Sequence, residues 1–187
     1  MIFNYKNIIK NRLQMVSFQI ASDLHIEYNN DKNIDPLTLI TPSADVLILA
    51  GDIGSLYKIE QLIYFITNIV IYYKHTFFVP GNNEYYSQPN YQVMSYDKLR
   101  KRLYDLDRDV ENFNVLDCAC AQIGDICISG ATLWSDINVN LPKYIVRIPD
   151  MTTEMYSGLF ETHKRYIEKT IDYCKDNNLK LISITHH

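Results

Sequence analysis

Three observations predict an α/β domain with a largely parallel central sheet and a second sheet beside it. Several short apolar runs stop at polar clusters, as strands do when they deliver side chains to a crevice at their carboxyl ends. One run, DVLILA over Asp45 to Ala50, is apolar without alternation, which suits a strand covered on both faces. The stretch from Asp45 to Val79 reads strand, helix, strand, the pattern of a βαβ unit.

Taken in order, Met1 to Gln14 is basic through Lys6, Lys10 and Arg12, and lacks the apolar centre and small-residue cleavage site of a signal peptide. It reads either as a short helix on the outside or as a segment ahead of a natural start at Met15. Residues 1–14 are therefore taken as an extension and 15–187 as the domain. Val16 to Ala21 is a buried strand ending at Ser22-Asp23-Leu24-His25. A polar loop with Pro36 and Pro42 leads to the strand Asp45 to Ala50, halted at Gly51-Asp52. Ile59 to Lys74 carries Leu62, Ile63, Ile66, Ile69 and Val70 at helical spacing. The strand Thr76 to Val79 stops at Pro80-Gly81. Asp97 to Leu106 reads as a charged surface helix, and Asn114 to Ala121 and Ile123 to Ser129 as paired strands of the second sheet. Leu159 to Asn177 is a further helix, and Lys180 to Thr185 a strand running into His186-His187.

Composition bounds the function. The formal net charge of -4 argues against a nucleic-acid clamp, which would be basic. It leaves a small phosphate ester open, because bound cations reverse the local field. The 15 tyrosines are spread along the chain and mark no stacking platform for bases. The longest apolar stretch, Ile59 to Tyr73, contains Glu60, Gln61, Thr67 and Asn68 and is too polar to span a bilayer. A cytoplasmic location is expected. Cys118, Cys120, Cys127 and Cys174 form no C-x-x-C pair and read as buried, reduced thiols. Cys118 and Cys120 share a face if both lie on a strand.

The chemistry sits at the strand ends. If those strands run parallel, Asp23, His25, Asp52, Asn82 and His186 converge in one crevice. Asp23 and His25, at i and i+2 of an extended chain, point the same way and can chelate one ion. Carboxylate, imidazole and amide oxygen together suit Mn, Fe or Zn. Gly51 and Gly81 permit the turns that bring these groups inward. Each motif alone is common: D-x-H arises by chance, and G-D and G-N are ordinary turns. The signal is the set of four, in order, each closing a predicted strand.

The series D-L-H, A-G-D-I, V-P-G-N-N-E-Y-Y and I-T-H-H resembles the calcineurin-like metallophosphoesterases. Gly130 to Asp136 (GATLWSD) is similar to the G-x-T-L-W-T-D segment of a bacterial-type branch. The resemblance runs from about Met15 to His187. It implies a two-sheet β-sandwich flanked by helices, incomplete at the C-terminus, that holds two divalent metal ions and hydrolyses a phosphomonoester or phosphodiester substrate. By the same resemblance Asp23 and His25 serve the first ion, Asp52 bridges both, and Asn82 and His186 serve the second. Two cations held so close clamp the phosphate oxygens and supply a hydroxide nucleophile.

Two departures from the family pattern matter. The histidine of its G-N-H-E motif, which contacts phosphate and assists the leaving group, is Asn83 here. Asparagine donates a hydrogen bond but delivers no proton at neutral pH. The family's closing G-H-x-H motif is not reached before His187. The strand 180–185 is then expected to leave an edge uncovered, giving a chain that is poorly stable alone or associates there with itself or a partner chain. The rival to an enzyme is a degenerate member that acts as a binding or assembly partner.

The remaining candidates read as follows. Glu84 orients its neighbours and is not a ligand; His187 lines the site. His75 is a helix-end residue, and His163 faces solvent. Trp134 packs or forms the rim. Arg147 sits in a surface ion pair or touches phosphate.

Overall fold

The computed structural model describes residues 5–7, 15–137, 140–142 and 144–187. In chain order the elements are β1 (Tyr5–Asn7), β2 (Phe18–Ala21), β3 (Val46–Ala50), α1 (Ile59–Ile69), β4 (His75–Val79), α2 (Tyr96–Asp109), β5 (Phe113–Val115), β6 (Ala119–Ile123), β7 (Ile126–Gly130), α3 (Thr153–Asp176) and β8 (Lys180–Ile184). They form two sheets, ordered β2-β3-β4-β5 and β1-β6-β7-β8. All pairings in the first sheet are parallel. In the second, β6 and β7 are antiparallel, while β1 runs parallel to β6 and β8 parallel to β7.

Strand β3 shows why the sequence folds into layers. Leu47 and Leu49 pack with Leu62 and Phe65 of α1 and Leu99 and Leu103 of α2. Val46 and Ile48, pointing the other way, pack with Ala121, Ile128 and Ile184 of the second sheet. Both faces are dry, so the run needs no polar alternation. Burying such a side chain contributes about 1.5–3 kcal/mol, and Val46, Leu47, Ile48 and Leu49 are all 0% exposed. On the outer face of the second sheet Cys120 and Cys127 meet Cys174 of α3. The layers run helix, sheet, sheet, helix. The four cysteines are free, and Cys120, Cys127 and Cys174 are buried.

Several expectations need correction. Within the 1–14 segment, residues 5–7 do not form an outer helix: they form a strand beside β6. The other residues of that segment lie outside the described ones. Helix α1 closes at Ile69 into a 3-10 turn over Val70–Tyr72, and His75 is the first residue of β4, not a helix end. The predicted strand 114–121 is two strands in different sheets. The chain passes between them through 116–118, where Cys118 has φ 52°. Cys118 is therefore not on a strand, and its shared face with Cys120 falls away. Helix α3 starts six residues earlier than predicted because Thr152 caps it, accepting a bond from Met155 N at 3.2 Å. Strand β8 belongs to the second sheet, yet its carboxyl end still arrives beside Gly51 and Asp52. No described helix is long and apolar enough to cross a membrane.

Candidate metal centre

Parallel pairing sets the carboxyl ends of β2 and β3 side by side, and the loops beyond them stay zipped together. Asp23 N donates to Gly51 O, His25 N to Asp52 O and Ile26 N to Ile53 O, each at 3.0 Å. Asp23, His25 and Asp52 have φ of 55°, 47° and 55°. Left-handed backbone costs a non-glycine residue roughly 1–2 kcal/mol, so strain is concentrated where the polar side chains converge. This corrects the extended-chain argument for Asp23 and His25. They are brought inward by two left-handed residues and not by strand alternation.

Asp23, Asp52 and His186 present ligand atoms within 4.8 Å of one another. His186 Nδ1 donates to Ala50 O at 2.8 Å, and its Nε2 stands 3.2 Å from Asp52 Oδ1. His25 Nδ1 meets the buried Glu27 Oε1 at 3.1 Å, and its Nε2 stands 3.8 Å from Asp52 Oδ2. Both imidazoles are thus held through Nδ1 by an oxygen, which turns Nε2 toward the shared carboxylate. Metal-ligating histidines are oriented in this way. The glycines are required by close approach: a Cβ on Gly51 would strike the His186 ring, and one on Gly81 the Asp52 carboxylate. These residues fit a divalent cation.

Glu84 is the organiser beneath them. It is fully buried, and its carboxylate accepts four backbone N–H bonds: from Asp52 (3.0 Å), Ile53 (2.7 Å), Gly54 (3.2 Å) and Gly81 (2.6 Å). One side chain therefore fixes both glycine turns, in agreement with an orienting role. Burial, with the Asp52 charge beside it, pushes its pKa up to about 7 against the pull of those bonds. Asn83 grips Asp52 twice, its backbone N to Oδ1 at 2.9 Å and its side-chain Nδ2 to Oδ2 at 2.5 Å. Asn82, next to it, lies by the Tyr86 hydroxyl, whose pKa burial raises and Asn82 draws back.

The groups of the centre pair with one another. Burial opposes charge on Asp52, but hydrogen bonds from His186 and Asn83 prevail and lower its pKa. Burial likewise opposes charge on His186, but the bonds to Asp52 and Ala50 prevail and raise its pKa to about 9. A metal ion entering at His186 Nε2 must displace a proton.

The surroundings hold both expected and missed residues. His187 lies at the rim, with Nδ1 2.5 Å from Ser135 Oγ and its ring near Trp134 and Tyr156. Trp134 is 1% exposed and packs among Tyr85, Tyr96 and Tyr156. Arg147 makes no ion pair among the described residues; its guanidinium lies 5.2 Å from the Tyr86 ring centroid.

His163 does not face solvent: it is 3% exposed. With Asp117 and Cys118 it forms a second group of ligand-type atoms within 4.8 Å. That group does not suit a cation. Asp117 Oδ2 already takes Arg100 Nε (3.2 Å), Arg100 Nη2 (2.8 Å) and Tyr104 Oη (2.8 Å). His163 Nδ1 accepts from Leu133 N at 3.1 Å, so in the neutral ring Nε2 carries the hydrogen. It is an internal clamp between α2, α3 and the loop at Leu133. The signal that finds His163 is spacing: Tyr156, His163, Tyr166, Thr170 and Cys174 form one buried helical face.

The fold and this cluster define a two-sheet α/β sandwich with a candidate metal centre at its strand ends. The pattern of the calcineurin-like phosphoesterase family matches residues 17–187, and the chain belongs to that family. An uncharacterised protein of Acanthamoeba polyphaga mimivirus is 28% identical over 188 residues, covering 89% of this chain. The chain spans 66% of that relative's length, just under two thirds. A phosphopantetheinyl hydrolase from Mycobacterium tuberculosis shares the fold with a TM-score of 0.50 and 15% identity, over 90% of this chain and 67% of that one.

Proposed function

We propose that this chain is a metal-dependent hydrolase of phosphomonoesters or phosphodiesters. Asp23, His25, Asp52, Asn82 and His186 would hold two divalent cations, Mn, Fe or Zn, with Asp52 shared between them. The observation that carries the reading is the convergence of Asp23, Asp52 and His186, with both histidines turned by their Nδ1 contacts. Two cations so held would supply a hydroxide nucleophile and neutralise charge on the phosphate. The chain's own residues do the rest. Glu84 fixes the turns that present Asp52 and Asn82. Asn83 holds the Asp52 carboxylate in one orientation.

One observation favours the non-catalytic alternative, in which the fold binds a partner without turnover. The Asn83 amide is engaged by Asp52 and supplies no proton to a leaving group. Hydrolysis of bis(4-nitrophenyl) phosphate and 4-nitrophenyl phosphate by manganese-loaded protein separates the two readings. Turnover lost in Asp52→Asn supports the enzyme. Metal binding with no turnover of either ester supports the alternative.

A further inference from the structure

Beside the loop that carries His25 and Glu27 lies a cavity of about 500 Å3, walled by the loop at Asn29, Asn30 and Lys32, the start of α1, the segment at Tyr91 and Met94, and one face of α2. None of the candidate metal ligands lines it. Its charge is opposite to that of the chain. Lys32, Lys58, Lys98 and Arg102 line it against the single carboxylate of Glu60, in a protein of formal net charge -4.

Two of these cations, Lys58 and Arg102, are held in place but not neutralised. Lys58 Nζ donates to Glu27 O at 2.5 Å and Arg102 Nη1 to Leu56 O at 2.9 Å. A carbonyl fixes the position of each head and leaves its net charge and its other N–H donors available. Lys32 and Glu60 form an ion pair at 3.6 Å with side chains 73% and 82% exposed, an exposure at which solvent screens the pair. Lys98 has no ion-pair partner among the described residues. Tyr57 and Tyr91 add aromatic walls, and the Tyr57 hydroxyl is fixed by the Met94 backbone.

A second observation comes from Gln61 in the same wall. It is 4% exposed, and its Nε2 donates to Asn29 O at 3.3 Å and Asp31 O at 2.7 Å. Its Oε1 is buried with no hydrogen-bond partner. Through its Nε2, Gln61 ties the start of α1 to the loop at Asn29, and fixes two walls of the cavity against each other.

We infer that this cavity is a binding site, separate from the metal centre, for a small organic polyanion of the nucleoside diphosphate class. Its phosphates face Lys32, Lys58, Lys98 and Arg102, and its ring lies against tyrosine. The bonds from Lys58 to Glu27 and from Glu27 to His25 link the cavity to the metal centre. The bound anion is therefore either a separate effector or the distal part of a larger substrate.

The inference stands apart from the catalytic reading, and its test needs no turnover. ADP is titrated calorimetrically into the 187-residue chain with chelator present and no metal. Saturable one-to-one binding is expected. Lys32→Glu with Lys98→Glu, two exposed positions, should weaken it by about tenfold or more with the melting temperature unchanged. Asp52→Asn should leave it intact. Adding Mn²⁺ then distinguishes the sources: an affinity unchanged by metal marks an effector, and one raised by metal but still lost in the double variant marks a distal substrate group. No saturable binding, or binding lost in Asp52→Asn and kept in the lysine variant, overturns the site.

Discussion

Asp52 is the residue on which the centre turns, and its neighbours make predictions that differ in kind. Glu84 accepts four backbone N–H groups through two carboxylate oxygens. Glu84→Gln keeps the shape but turns one oxygen into a donor facing donors. Chemical denaturation should show a loss of about 1–3 kcal/mol for the donors so orphaned, with weaker metal binding; unchanged stability would remove Glu84 from its organising role. His186 predicts a pH dependence. Its pKa in the metal-free protein is raised to about 9 from 6.5. The stability it contributes is then fully present below pH 6.5 and lost as pH rises through 9. A metal ion takes the proton's place, so Mn²⁺ affinity should rise across the same window, with proton release visible in buffers of different ionisation enthalpy. Affinity independent of pH between 6.5 and 9 would mean that His186 is not a ligand. Asn83→His restores a proton donor. It should speed hydrolysis of alkyl phosphates toward the 10²–10⁴-fold that a general acid is typically worth, and nitrophenyl esters much less, since nitrophenolate leaves unprotonated. Equal effects on both would reject that role.

At the level of elements, α3 and the loop it supports are a structural prediction and a lesson in legibility. His163 Nδ1 satisfies Leu133 N, and Leu133 and Trp134 both have left-handed backbone, φ 74° and 49°. His163→Leu removes the acceptor and should cost about 1–3 kcal/mol. Trp134 is the chain's single tryptophan, so its fluorescence should shift to the red in the folded variant; an unchanged spectrum would show that the loop holds itself. His163 was misread because its neighbours Thr162 and Lys164 are exposed, while the buried face shows only at helical spacing through Tyr166, Thr170 and Cys174. The strand ends were legible because a parallel, two-sided strand leaves an unbroken apolar run and must stop where polar side chains begin, as Ala50 gives way to Gly51-Asp52. The crossing between sheets at 116–118 was not legible. Apolar residues continue through Val115 and Leu116, and the left-handed turn at Cys118 leaves no glycine to mark it. The same holds at Asp23 and His25, whose left-handed φ is imposed by bonds to Gly51 and Asp52 far away in sequence.

For the whole molecule, the two sheets close on each other through Val46, Ile48, Phe77 and Val79 facing Ala121, Ile128 and Ile184. Strand β8 pairs only β7 among the described residues, and Leu181 and Ile182 are half-buried. A strand edge with free donors and acceptors invites pairing, so sedimentation of the 187-residue chain should show concentration-dependent association. Hydrogen exchange at 180–184 should slow as it does so. A monomer strongly protected there at micromolar concentration would show that the edge needs no cover. The claim that binds these scales together is that the ends of β2, β3 and β8 meet to hold divalent metal around Asp52. Elemental analysis of manganese-loaded protein tests it most directly, comparing the unaltered chain with Asp52→Asn at equal folded content by circular dichroism. The account predicts two bound ions for the former and loss of tight binding of the second for the variant. The same stoichiometry in both proteins would contradict it.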